Sequence, residues 1–148
     1  MKFNISEYLC TQNKVLIMKK LFVLALAALT FIACQESLDE KAAQEAKLYT
    51  QKNCPAPIGE NLTIDSLTFE AATHKLHYFY TLSGAADSVG LLNKDDARQA
   101  LLTELKNTTT MMAYKEAGFS FAYTYRSKKD PKTILFDTTF SEKDYKKK

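Results

Sequence analysis

The side chains best suited to acid–base or metal chemistry in this chain are His74 and His77, its only histidines. A structural or catalytic metal centre needs three or four nitrogen, sulfur or carboxylate ligands, and Glu70 and Cys54 are the only obvious additions. So sparse a set reads as a turn histidine, His74, and a strand histidine on the solvent face, His77; no metal or cofactor is expected. Gly-x-Ser-x-Gly, His-Glu-x-x-His, P-loop and Gly-x-Gly-x-x-Gly patterns do not occur, and the glycines are scattered at 59, 84, 90 and 118. With neither a nucleophile nor a base identified, the chain is expected not to be an enzyme.

Aromatic side chains are the other candidates. Leu76, Tyr78, Tyr80 and Leu82 alternate with smaller or more polar residues, as do Phe119, Phe121, Tyr123 and Tyr125. Period-two alternation marks half-buried strands. The two rows are expected to form core, since a small domain without tryptophan must fill the space between sheet and helices with these rings. His77 and Phe79 fall on the opposite strand face and are the candidates for surface recognition of a protein or glycan.

The reactive group of greatest consequence is a thiol. Met18-Lys19-Lys20 precedes an apolar run, residues 21–33, that ends at Ala33-Cys34. A basic start, a short apolar core and a small residue before the cut describe a secretory signal, and the run is too short to span a bilayer as a helix. Phe31-Ile32-Ala33-Cys34 resembles the lipobox of bacterial lipoproteins, in the loose form found in Bacteroidota: Ala33 and Cys34 match the common pattern, Phe31 and Ile32 depart from it. The resemblance implies cleavage between Ala33 and Cys34 and acylation of Cys34, which becomes the first residue of the mature protein. One acyl chain binds a membrane only marginally, whereas two or more anchor stably. In lipoproteins of that phylum sent to the cell surface, acids follow the acylated cysteine; Glu36, Asp39 and Glu40 are similar to that signal in broken form. Ser66, Ser88 and Thr138 stand in tripeptides similar to the O-glycosylation acceptors of the same phylum.

Removing the leader takes four lysines and one glutamate from the 20 basic and 17 acidic residues of the whole chain, leaving a formally neutral remainder. The apparent basic balance belongs to the leader and is no argument for nucleic acid, and no nucleic-acid partner is expected. If Cys34 carries lipid, Cys54 has no partner for a disulfide.

The elements that must position these residues follow from periodicity. Residues 1–17 fit no part of a signal and read as a gene-model extension; 18–33 are the signal peptide; 34–54 are the lipidated cysteine and a polar, partly helical spacer; 55–148 are one small domain. Leu38, Ala42, Ala46 and Tyr49 make only a thin apolar stripe on the spacer, and the Pro55–Gly59 region marks the boundary. Within the domain, residues 67–71 and 76–82 form one hairpin and 119–125 and 132–140 another. Leu62 and Ile64 are out of phase with Leu67 and Phe69, which calls for a bulge near Asp65-Ser66. Between the hairpins Asn93 caps a helix over 94–107 with Asp95 and Asp96 in its first turn, and a second helical segment, 111–117, ends at Gly118. The expected fold is α+β, a four-stranded antiparallel sheet ordered hairpin–helices–hairpin with helices on one face.

The leading functional expectation is a non-catalytic outer-membrane lipoprotein, facing the periplasm or, preferably, the cell surface, that binds an envelope protein or glycan. The alternatives are an inhibitor or immunity-type protein capping a secreted enzyme, and a small hydrolase or metal protein using His74 or His77.

Overall fold

The computed structural model describes residues 37–146 apart from Val89 and Leu91. Ala33, Cys34 and Glu36, with the signal segment and residues 1–17, lie outside the described residues. Among those described, no helix is long and apolar enough to cross a membrane.

Helix α1 (Leu38–Asn53) begins with a reciprocal cap: the Ser37 hydroxyl accepts from the Glu40 amide at 3.2 Å, and the Ser37 amide donates to Glu40 Oε2 at 2.8 Å. Two orphan amides of the first turn are thereby satisfied. The expected polar spacer is in this stretch a regular helix seated on the sheet. Its apolar stripe is thin because it is built of alanines, and small side chains let the backbone approach closely: Ala42 is 0% and Ala46 2% exposed.

Five strands follow in the order β1 (Ala56–Gly59), β2 (Leu62–Glu70), β3 (Lys75–Leu82), β4 (Ser120–Ser127) and β5 (Ile134–Phe140), and they lie side by side in that order. The β1–β2, β2–β3 and β4–β5 pairs are antiparallel, whereas β3 and β4 are parallel. The expected four-stranded antiparallel sheet is therefore corrected to a mixed five-stranded one. Parallel neighbours need a crossover connection, which α2 (Lys94–Asn107) and α3 (Met112–Glu116) supply between β3 and β4. The extra strand β1 comes from the Pro-rich stretch read as a boundary; as an edge strand it tolerates proline. The expected bulge is present, with the β2–β3 register shifting between Ile64 and Ser66.

The hairpin turns and helix caps fall where the residue types place them. Asn93 Oδ1 accepts from the Asp95 and Asp96 amides, and Gly118 adopts φ +79° after α3. A lysine closes the other end of α2: Lys115 Nζ donates to the carbonyls of Leu105, Lys106 and Thr108 at 2.7–3.1 Å.

The four α-helices of the described residues, the last being α4 (Glu142–Tyr145), contribute to one core on one sheet face. Ala42, Leu105, Tyr114 and Tyr145 meet Leu67, Leu76, Phe119, Phe121 and Phe140 there. The free edge of β2 beyond β1 is closed by a side chain in place of a strand. Thr50 Oγ1 donates to the Leu67 carbonyl at 2.7 Å and accepts from the Leu67 amide at 2.8 Å, satisfying both groups that an edge would leave open.

Candidate functional site

Because β3 and β4 run parallel and in register, their aromatic rows meet rung by rung: Leu76 opposite Phe121, Tyr78 opposite Tyr123, Tyr80 opposite Tyr125. The lower rungs are sealed core, with Phe119 and Phe121 at 2% and 0% exposure. Above them the four tyrosines stack as a ladder, Tyr78 on Tyr123 at 5.3 Å and Tyr80 on Tyr125 at 4.8 Å between centroids, with interplanar angles of 10° and 14°. The expectation of core thus holds for the phenylalanines, while the tyrosines are only half-buried and floor a groove.

Helix α2 forms the wall. Only Leu105 on it is fully buried, and toward its N-terminus the helix stands off the sheet. One hollow of about 290 Å³ lies between Leu62, Leu82, Leu92, Leu101, Tyr125 and Phe136. A second of about 190 Å³ lies between Tyr78, Tyr80, Tyr123, Leu105, Thr108 and Met111. Glu104 borders both and is the only charged residue on either. Each is at or below about 300 Å³, the lower limit of ordinary small-molecule sites.

Burial pushes the Tyr125 hydroxyl up to about 12 and those of Tyr78, Tyr80 and Tyr123 higher still, with tyrosine neighbours and acids, chiefly Glu104, adding to the effect. These hydroxyls stay protonated at neutral pH, so they can hydrogen-bond a ligand but supply neither nucleophile nor base. Glu104 and Met111 were not singled out in the sequence; the available signal was a carboxylate three residues beyond Leu101, inside the apolar stripe of α2.

The histidines occupy separate places. His74, at φ +46° in the β2–β3 turn, sets Nδ1 2.9 Å from Asp39 Oδ1 and its ring edge-on to Phe119. His77 stacks on Phe79 at 4.0 Å, lies 2.8 Å by Nε2 from Thr124 Oγ1, and is joined by Arg126, whose guanidinium sits 5.5 Å over the Phe79 ring. Desolvation, then Lys75 and Arg126, hold the His77 imidazole below its ordinary value. Glu70 is taken by Lys75 at 2.6 Å and Thr73. Cys54, at the end of α1, has its thiol pushed up by burial, with Asp65 adding to it. Among the described residues no three His, Cys, Asp or Glu side chains gather as a metal site.

Asp39 and Glu40 of the broken acidic motif both have structural tasks, the His74 contact and the Ser37 cap. Ser66 pairs with Phe79 in the sheet, and Ser88 is half-buried in the β3–α2 connection. Thr138 is buried on the helix-covered face, its hydroxyl accepting from Arg98.

Comparison with solved structures identifies the same architecture elsewhere. A Pseudomonas aeruginosa protein described as secreted superposes with TM-score 0.60 at 16% identity, covering 75% of this chain and 99% of its own. The type II secretion pilotin of Vibrio vulnificus gives 0.59 at 10% identity, over 75% of this chain and 94% of its own. That of Vibrio cholerae gives 0.54 at 14% identity, over 72% and 91%. At such identities the likeness is one of fold. No curated protein sequence matches this one significantly. Residues 37–136, from the cap of α1 into β5, match the family model described as domain of unknown function DUF8479, and the chain belongs to that family.

Proposed function

We propose that this protein is a non-catalytic accessory lipoprotein of the outer membrane, anchored through acylated Cys34, that holds an apolar segment of an envelope protein in the groove between α2 and the tyrosine ladder. The observation that carries the reading is the groove itself: half-buried aromatic and aliphatic walls, neutral hydroxyls and one carboxylate, Glu104. Such a lining favours an apolar stretch with a lysine or arginine near Glu104. Its fold likeness to pilotins, proteins of the type II secretion apparatus, supports an accessory role in the envelope.

A photo-crosslinking residue at Ala100, beside the larger hollow, tests this in intact cells, with one at Phe79 as comparison. The expected result is a discrete envelope-protein adduct from position 100 that disappears when Ala97→Trp fills the groove. Adducts arising instead from position 79 would transfer recognition to the His77–Phe79–Arg126 face and overturn the groove reading. Protease treatment of the same cells decides between display at the surface and a periplasmic position: digestion without lysis means display.

A further inference from the structure

We propose that the domain rests upright on the bilayer, with the pole around His74 against the lipid head groups and the larger hollow of the groove at the opposite pole; this rests on the acylation of Cys34 proposed above. Only Gln35 and Glu36 separate Cys34 from the Ser37 cap. Three peptide steps of 3.8 Å place the acylated Cα within about 11 Å of the start of α1. That helix cannot swing away to lengthen the tether. Asp39 is bonded to His74, Tyr114 donates to Glu45 Oε2 at 2.6 Å, Thr50 grips Leu67, and Ala42 and Ala46 are sealed in the core.

The same contacts say what lies beside the anchor. The His74 carbonyl accepts from the Ser120 amide at 2.9 Å, so the β2–β3 turn and the α3–β4 turn form one surface with the start of α1. Two of its acids are in ion pairs, Glu70 with Lys75 at 2.6 Å and Glu142 with Lys146 at 2.5 Å, and Asp39 lies 2.9 Å from His74 Nδ1. None of the exposed large apolar side chains, Leu48, Tyr49, Ile58, Met112 and Ile134, belongs to these turns. A polar surface without exposed large apolar side chains suits contact with head groups and not insertion.

Strand β3 starts at this pole and ends at Leu82 on the larger hollow. Seven residue steps of about 3.3 Å put that hollow roughly 23 Å farther from the bilayer. A partner therefore reaches the groove from the aqueous side without competing with lipid.

The test uses the acylated protein purified from membranes, carrying Cys54→Ser and a fluorophore on Thr73→Cys or on Glu60→Cys, in phosphatidylcholine vesicles with quencher-labelled head groups. The Thr73 label is expected to lose most of its emission and the Glu60 label to keep it. Equal quenching, or stronger quenching at Glu60, overturns the orientation. Intact mass of the same preparation separates the two ideas: an unmodified Cys34 refutes the anchor, whereas an acylated protein with equal quenching refutes only the upright pose. Wild-type protein gives a label-free check, with Lys75 expected to react more slowly with an amine reagent on vesicles than in detergent and Lys132 at the same rate in both. Equal slowing of the two lysines would again overturn the pose.

Discussion

Leu105 and Leu101 are one turn apart on α2, yet truncating them should have different consequences. Leu105 is 3% exposed and packed within the cluster of Phe119, Phe121 and Tyr114. Leu105→Ala removes side-chain carbons that are fully buried among those rings, a truncation that costs about 2–5 kcal/mol. Leu101 is half-buried and borders a hollow that already opens outward. Its truncation widens an existing groove, so the cavity contribution is absent and the partial transfer cost is about 1 kcal/mol. For a domain of this size each kcal/mol shifts Tm by roughly 4–8 °C. Leu105→Ala should therefore melt at least about 8 °C below wild type and Leu101→Ala within several degrees of it, by circular dichroism at matched concentration. Leu101→Ala should also weaken any ligand held in the groove while leaving the fold intact. Equal destabilisation by both substitutions would show that α2 is packed evenly along its length, and the groove argument would fail.

Alkaline titration followed by tyrosine absorbance should show Tyr125 ionising near 12 and Tyr78, Tyr80 and Tyr123 only as the protein unfolds. Because unfolded tyrosine loses its proton at about 10, the unfolded state gains first and stability should fall as pH climbs above that value; a ladder that titrates at 10 in folded protein contradicts this. At the acid end, hydrogen bonds from Ser127 and Lys129 hold the Asp87 carboxyl below its ordinary 3.8, and the Ser141 amide does the same for Asp144. Their stabilisation is present above pH ~4 and lost as pH falls through the lowered values, so the urea midpoint should drop there, with a shallower drop in Asp87→Asn. Thr50→Val strips both hydrogen bonds from Leu67 and should cost about 1–3 kcal/mol, with amide exchange at Leu67 accelerating more than at Leu76; unchanged exchange would mean water replaces the hydroxyl without loss.

Local signals in the sequence recover most elements of this fold. Asn93 with Asp95 and Asp96 places the start of α2, and the phase slip between Ile64 and Leu67 places the bulge, because both are decided within a few residues. The direction in which β4 joins β3 is different. Alternation in Phe119–Tyr125 reads the same whether the strand lies parallel or antiparallel, and only the path of the intervening helices decides. The sheet contribution of Ala56–Gly59 was hidden by Pro57 within it and Pro55 just before it, since proline reads as a breaker although edge strands accept it. Of the site, Tyr78, Tyr80, Tyr123 and Tyr125 were legible as apolar rows, but their exposure depends on how far α2 stands from the sheet, which no residue on the strands encodes. His77 and Phe79 were correctly grouped by strand parity, whereas Arg126 joins them from a strand whose register only the fold supplies.

The parallel seam between β3 and β4 also bears on how the domain assembles. Each flanking hairpin closes over a short turn and can form on its own within microseconds. The seam joins residues such as Lys75 and Ser120, roughly 45 positions apart, so it must bear a larger loop-closure entropy before any contact rewards it. The slow step of folding is then the meeting of two preformed hairpins, with α2 and α3 laid across the join. The tyrosine ladder is the zipper of that join, two rings contributed from each side. A segment bound along it would touch both halves at once and slow their separation, so occupancy should lengthen the lifetime of the folded state more than it speeds arrival there.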